Sequence, residues 1–125
     1  MSWNINNLKK YSKINMPNDT KFTTEYQKDG VNYNLILEYD VDQTCWYITI
    51  NYNDKTTMQA RLKPRIPLFL SYRYILPHCF FCDTNTGLMP TKANTFENVN
   101  NAGSETQLYC CDWDDYINNI INTND

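Results

Sequence analysis

Asp29-Gly30-Val31-Asn32-Tyr33-Asn34-Leu35-Ile36-Leu37-Glu38-Tyr39-Asp40 opens the stretch, running on to Tyr74, whose reading decides the fold. Val31, Tyr33, Leu35, Leu37 and Tyr39 fall on one side of an extended chain, with Asn32, Asn34 and Glu38 on the other. A two-residue period of this kind is the mark of a strand with one dry face and one wet one. Asp40-Val41-Asp42-Gln43 reverses the chain, and Trp46, Ile48, Ile50 and Tyr52 resume the alternation against Tyr47, Thr49 and Asn51. A second turn at Asn53-Asp54-Lys55 leads into Met58 to Leu62, where Lys63-Pro64-Arg65-Ile66-Pro67 breaks the pattern. Alternating runs separated by turn residues predict an antiparallel meander.

Working outward, Phe22, Thr24 and Tyr26 alternate with Thr23 and Glu25, which predicts a first strand joined to Val31–Tyr39 by a four-residue Gln27-Lys28-Asp29-Gly30 turn. Leu68 to Leu76 is apolar and aromatic and is bracketed by Pro67 and Pro77, so an extended strand is expected there rather than a helix. Phe80 and Phe81 continue as a further strand, and Leu108 to Cys111 supplies the last. Between them, residues 83–106 are rich in Thr, Asn and Gly and read as a long polar loop. A loop of that length in a small domain is unusual unless it binds something or is ordered by a partner. Tyr116, Ile117, Ile120 and Ile121 form one helical stripe, with Asp112, Asp114 and Asp115 placed to favour its N-terminus. The fold class is therefore all-β: a small antiparallel β-sandwich or barrel-like meander with a long polar loop and a short C-terminal helix. Residues 1–19 are expected as an N-terminal arm, 20–111 as the β-domain and 112–125 as a helical tail.

The 125 residues suffice for one core and not for two. Ten tyrosines supply much of the 42% hydrophobic content, and tyrosine suits strands and surfaces where one end of the ring is dry and the hydroxyl wet. Charge is unevenly distributed. Residues 1–73 hold ten Lys or Arg against seven Asp or Glu, whereas 74–125 hold one against seven. Such a division is either two solvated faces or electrostatic complementarity between neighbours in an assembly. A pI near 5.0, with no basic footprint beyond Lys55–Arg73, argues against nucleic acid as a partner. No run reaches the roughly 20 apolar residues of a membrane helix, and the first ten residues lack the apolar centre of a secretory signal. Five cysteines, an odd number, fit free thiols in a reducing compartment.

His78-Cys79-Phe80-Phe81-Cys82, with Cys110-Cys111 downstream, is the cluster to weigh as a zinc site. Its spacing is wrong for a ribbon: the first pair encloses two phenylalanines, and the second pair is adjacent, so its side chains point to opposite faces of a strand. Structural thiols are expected instead. A Cys/His nucleophilic pair using Cys79 or Cys82 is the one catalytic arrangement left open, since no nucleophile elbow, phosphate loop or His-Glu-x-x-His motif is present. The cluster Asp112, Asp114, Asp115 has no loop glycine of the calcium type and reads as a solvated helix start. No catalytic, cofactor-binding or metal-ligating residue is assigned.

Asp29-Gly30-Val31-x-Tyr33-x-Leu35, an acidic turn, Trp46-Tyr47-Ile48-x-Ile50, a basic and proline-rich segment, then Leu68-x-x-x-Tyr72-x-Tyr74-x-Leu76-Pro77 follow one another in an order that resembles the small baseplate plug proteins of contractile-tailed bacteriophages. The resemblance spans about residues 20–110. It departs where that family has glycine after the Leu-Pro and a glycine-rich turn after the second strand, for here stand His78 and Asn53-Asp54-Lys55. The resemblance implies a non-enzymatic virion protein without cofactor, made in the host cytoplasm and placed at the hub of the tail baseplate. There it would close the tip of the tail tube and join neighbouring hub subunits, in several copies of a symmetric assembly, with neither nucleic acid nor membrane as partner. Residues 83–106 would be the segment to order on assembly. The contact candidates are Tyr47, Tyr52, Tyr72 and Tyr74, with Arg61, Lys63, Arg65 and Arg73 as polar ones. Each tyrosine is equally a candidate for the core until strand pairing fixes its face. The alternative is a monomeric β-barrel binding a small ligand, with Trp46 and the tyrosines lining its pocket.

Overall fold

The computed structural model describes residues 3–16, 19–53, 56–93, 95–96 and 105–122; the side chains of Thr56 and Tyr72 lie outside the description. Seven strands are present among the described residues: β1 (Ser12–Ile14), β2 (Lys21–Lys28), β3 (Val31–Asp40), β4 (Cys45–Tyr52), β5 (Thr56–Arg61), β6 (Cys79–Thr84) and β7 (Thr106–Cys111). They form a four-stranded sheet in the order β2-β3-β4-β5 and a three-stranded sheet in the order β1-β7-β6, with every pairing within the sheets antiparallel. The sheets do not close on each other, so the architecture is a sandwich and the barrel-like option falls away.

The meander folds as its alternation dictates. Tyr33, Leu35 and Leu37 of β3 and Trp46, Ile48 and Ile50 of β4 are buried, and β2 contributes Phe22 and Tyr26 to the same side. The β2–β3 connection is tighter than the sequence spacing implied. Lys28 pairs with Val31, leaving a two-residue Asp29-Gly30 turn in which both residues have positive φ, 52° and 81°. Asp-Gly is the pair that tolerates such a turn, and its twist matches that of the strands. In the β3–β4 turn the Asp40 carboxylate accepts from the backbone N–H groups of Asp42 and Gln43, at 3.0 and 3.1 Å.

The expected strand over Leu68–Leu76 is a correction. Pro64 bridges Cys82, the Arg65 N–H donates to the Cys82 carbonyl and the Leu68 N–H to that of Phe80, so this segment covers the open edge of β6. Phe69 then turns left-handed (φ 60°) into a short 3-10 turn, Leu70–Tyr72. Leu68 and Leu76 anchor the loop in the core, with Phe69 partly buried against it, while Tyr74 and Ile75 face outward. The apolar content that read as a strand is divided between two anchors and an exposed tip.

A third layer covers the far face of the smaller sheet. One α-helical turn, α1 (Trp113–Tyr116), runs on into π-helical Ile117–Ile121, and Tyr116 and Ile120 pack with Leu8 on Cys79, Phe81 and Cys111. The start of the chain docks here too, in the region read as an arm: Trp3 lies edge-on to Phe81 and donates through Nε1 to the Tyr116 hydroxyl at 2.9 Å. Asp115 accepts from the backbone N–H groups of both Lys9 and Lys10, each at 3.0 Å, and from the Asn119 amide at 2.7 Å. Partial burial would raise the Asp115 carboxyl's pKa, but these three donors outweigh it and hold the group below the ordinary carboxylate value. A depressed folded-state pKa gives stability that is present above the unfolded value, about 3.9, and lost as pH falls through the folded one. Asp115→Asn presents an N–H₂ to a backbone donor and should expose the Lys9 and Lys10 amides to faster hydrogen exchange at pH 7. Its stability deficit relative to wild type should shrink towards pH 3. A deficit that did not change with pH would exclude the carboxylate as the clasp.

The described part of the long segment before β7 is packed in place. Phe96 is buried against Trp46 and Phe22, the Trp46 indole N–H donates to the Lys92 carbonyl at 2.9 Å, and the Tyr39 hydroxyl donates to that of Thr91 at 2.8 Å. The buried hydroxyls of Thr95 and Thr106 are hydrogen-bonded to each other. Of residues 83–106, the segment that the resemblance implies would order on assembly, positions 94 and 97–104 lie outside the described residues.

Candidate interaction surface

Strand register sorts the contact candidates. Tyr47 and Arg61 are paired neighbours on β4 and β5, on the outer face of the four-stranded sheet. Both reach one side chain: the Tyr47 hydroxyl donates to Gln43 Oε1 at 2.8 Å and Arg61 Nη2 to the same oxygen at 2.7 Å. Beside them a shallow depression of about 410 Å³ is lined by Glu38, Tyr39, Asp40, Val41, Tyr47 and Gln59. Val41 is 75% exposed at the tip of the turn. The rest of this face carries hydrogen-bonded Asn51–Thr57 and Gln59–Thr49 pairs.

Of the other candidates, Tyr52 ends β4 and the rest lie on the loop that follows β5, where their roles diverge. Lys63 is exposed. Tyr74 is 87% exposed, Ile66 and Ile75 are about half exposed, and Arg73 holds its guanidinium over the Tyr74 ring at 4.7 Å while donating to the Tyr74 hydroxyl. Tyr52 and Arg65 are occupied within the molecule. The Tyr52 ring packs against Tyr33 and its hydroxyl donates to the Ile75 carbonyl at 2.7 Å, bracing the loop tip from below. Arg65 pairs with Asp83 at 2.7 Å and lies over the Trp3 ring. Tyr72 lies between these residues in the chain, with its side chain outside the described atoms.

Sequence reasoning missed Val41, Ile66, Ile75 and Leu88 as exposed apolar positions, the last 71% exposed beside Gly87. A signal was present for three of them: apolar residues isolated among turn-forming neighbours have no strand face to bury them.

The His/Cys cluster dissolves on folding. Residues three apart on a strand face opposite ways, so Cys82 packs with Cys110 between the sheets whereas Cys79 packs with Cys111 under the C-terminal helix. All five cysteines are free and buried, and burial pushes the Cys82 and Cys110 thiols up to about 12. At neutral pH such thiols are not nucleophiles. The His78 ring faces elsewhere. Its Nδ1 lies 2.6 Å from the Tyr33 hydroxyl and its Nε2 3.1 Å from Asp29 Oδ2, so both ring nitrogens are taken and neither activates a cysteine. The same hydrogen bond holds the Asp29 carboxyl below its ordinary pKa.

The two antiparallel sheets enclose a filled interior and leave Val41, Ile66, Tyr74, Ile75 and Leu88 exposed on turns and loops, and among the described residues His78 is paired with no cysteine. A family model described as cyanophage baseplate Pam3 plug gp18 matches residues 11–112, which takes in β1 to β7. The chain belongs to the baseplate plug family. None of the curated proteins matches it significantly. Membership makes this a phage baseplate plug protein of the virion, in contact with other baseplate proteins. Trp3 to Lys10 and the helical residues from Trp113 onward, which cover the smaller sheet, fall outside the matched span.

Proposed function

We propose that this plug is a non-enzymatic structural component at the tip of the tail tube, where it closes the lumen and joins neighbouring hub subunits in several symmetric copies. It is assembled in the host cytoplasm before the virion is complete. The family match over residues 11–112 carries this reading. Support also comes from the packing. Trp46, Tyr33 and their neighbours fill the space in which a barrel would hold a ligand, and rigid sheets present Arg73, Tyr74, Ile75 and Ile66 on one loop. An aromatic ring capped by a guanidinium is a common anchor in interfaces. Tyr47, Arg61 and Val41 form a second contact patch, Lys63 extends the first with a charge, and Tyr52 and Arg65 hold the first loop in its presenting shape.

The double variant Tyr74→Ser, Ile75→Ser tests this arrangement. Both side chains are exposed, so the melting curve should move by no more than the roughly 0.5 kcal/mol typical of surface changes. Recovery of baseplate proteins with the tagged plug from infected cells should fall sharply, as for loss of an aromatic anchor worth about 2 kcal/mol or more. Undiminished recovery would exclude this loop as the docking element.

A further inference from the structure

Three potential metal ligands from distant parts of the chain meet at the junction of the two sheets and the C-terminal helix. Asp29 comes from the β2–β3 turn, His78 from the residue before β6, and Asp112 from the position before α1; one donor atom from each lies within 4.8 Å of the others. We propose that Asp29, His78 and Asp112 form a binding site for a divalent transition-metal ion of the zinc class, with water completing the shell.

Four observations carry this. The first is ligand geometry: His78 Nε2 and Asp29 Oδ2 are 3.1 Å apart, close to the edge of about 3.3 Å that a tetrahedral site with metal–ligand bonds near 2.0–2.1 Å requires. Asp112 is exposed and its donor atom lies within 4.8 Å of the other two, so its side chain must move inward to close the triangle. Second, Asp112 stands where an aspartate normally caps its helix by accepting a backbone N–H, yet its side chain makes no capping bond. Its carboxylate lies instead near the imidazole and 4.0 Å from the Lys28 ammonium. Third, His78 is only 6% exposed and its far nitrogen is held by Tyr33 at 2.6 Å. With metal on Nε2 the ring proton sits on Nδ1 and is donated to the Tyr33 oxygen, the outer-shell contact that orients a ligating histidine. Fourth, His78 and Asp112 border a water-accessible depression of about 560 Å³, which leaves room for solvent ligands.

One imidazole and two carboxylates suit zinc and its neighbours better than calcium, which takes six to eight oxygens, or magnesium, which prefers an all-oxygen octahedron. Lys28, 4.0 Å from Asp112, competes with a metal for its carboxylate, and Lys9 and Lys10 line the same depression. The cysteines weighed as ligands from the sequence take no part, being packed on both faces of β6 and β7.

The chain has a single histidine, so its imidazole resonances report on this site alone. Chelator-free full-length protein titrated with zinc chloride at pH 7.5 should bind one ion per chain by calorimetry, with perturbation centred on His78 Nε2 in nitrogen-detected spectra. Magnesium chloride should give neither signal. Asp112→Asn, an exposed change that leaves the core intact, should weaken zinc binding roughly tenfold or more, as should His78→Gln. Lys28→Met should strengthen it, which a merely destabilising change would not do. Absence of binding up to millimolar zinc, binding that leaves the His78 resonances unmoved, or equal affinity in the Asp112→Asn protein would each overturn the proposal.

Discussion

Replacing Trp46 with alanine is expected to remove much of the protein's stability at 25 °C. The indole is fully buried, with ring centroids 4.9 Å from Phe96, 5.6 Å from Tyr39 and 6.1 Å from Phe22, and its N–H donates to the Lys92 carbonyl. Removing a large buried aromatic costs about 3–5 kcal/mol, and that alone consumes much of the roughly 5–15 kcal/mol by which a domain of this size is stable. The loss is compounded here because Trp46 also pins the segment after β6 to the four-stranded sheet. Phe96→Ala removes the partner from the other side and should give a similar but smaller loss. In urea titrations followed by far-ultraviolet circular dichroism, both midpoints should fall, that of Trp46→Ala further. An unchanged midpoint for Trp46→Ala would mean that the wrong face of β4 has been placed in the core.

Tyr116→Ala should be nearly as damaging, for a different reason. Tyr116 is the keystone of the third layer: it packs on Phe81 with centroids 5.0 Å apart, its hydroxyl accepts from Trp3 Nε1, and it donates to the Arg65 carbonyl at 3.2 Å. Truncation uncovers Phe81 and Cys79 and releases both ends of the chain together, at a cost of about 3–5 kcal/mol. Tyr116→Phe keeps the ring and loses only the hydroxyl contacts, so about 1–2 kcal/mol is expected. Hydrogen exchange distinguishes the two, since the amides of Lys9 and Lys10 should lose protection in the alanine variant while those of β3 and β4 change much less. Uniform loss across the molecule would show that the third layer is not a separate packing unit.

The two sheets differ in how legible they were. β2 to β5 have one face in the core and one in water, so burial is written into the chain with period two, and Tyr33, Leu35, Leu37, Trp46, Ile48 and Ile50 all lie where alternation puts them. The smaller sheet is covered on both faces. Cys79, Phe80, Phe81 and Cys82 are each fully buried, which erases the alternation and leaves a run that resembles a metal motif. Leu68 to Leu76 misled because apolar content does not separate a strand from a loop anchored at its two ends. β1 has three residues, of which only Ile14 is buried, too short a run to show a period.

The placement of the contact candidates in the fold was legible in part. Arg73 and Tyr74 could be picked out as an aromatic and a cation beside a proline-bounded run, and the fold leaves Tyr74 exposed. Tyr52 and Arg65 have the same composition cues, yet their partners, the Ile75 carbonyl and Asp83, are supplied by the return path of the chain. The meeting of Asp29, His78 and Asp112 had no local signal, because it joins a turn, a strand start and a helix start that only the packed sandwich brings together.

Cryo-electron microscopy of the intact tail tip tests the assignment most directly. Density for a four-stranded and a three-stranded sheet packed face to face is expected across the end of the tube, with the Arg73–Tyr74 loop seated on a neighbouring hub subunit. A complete baseplate reconstruction with the tube tip closed by another protein, and with this fold located elsewhere or missing, would contradict it.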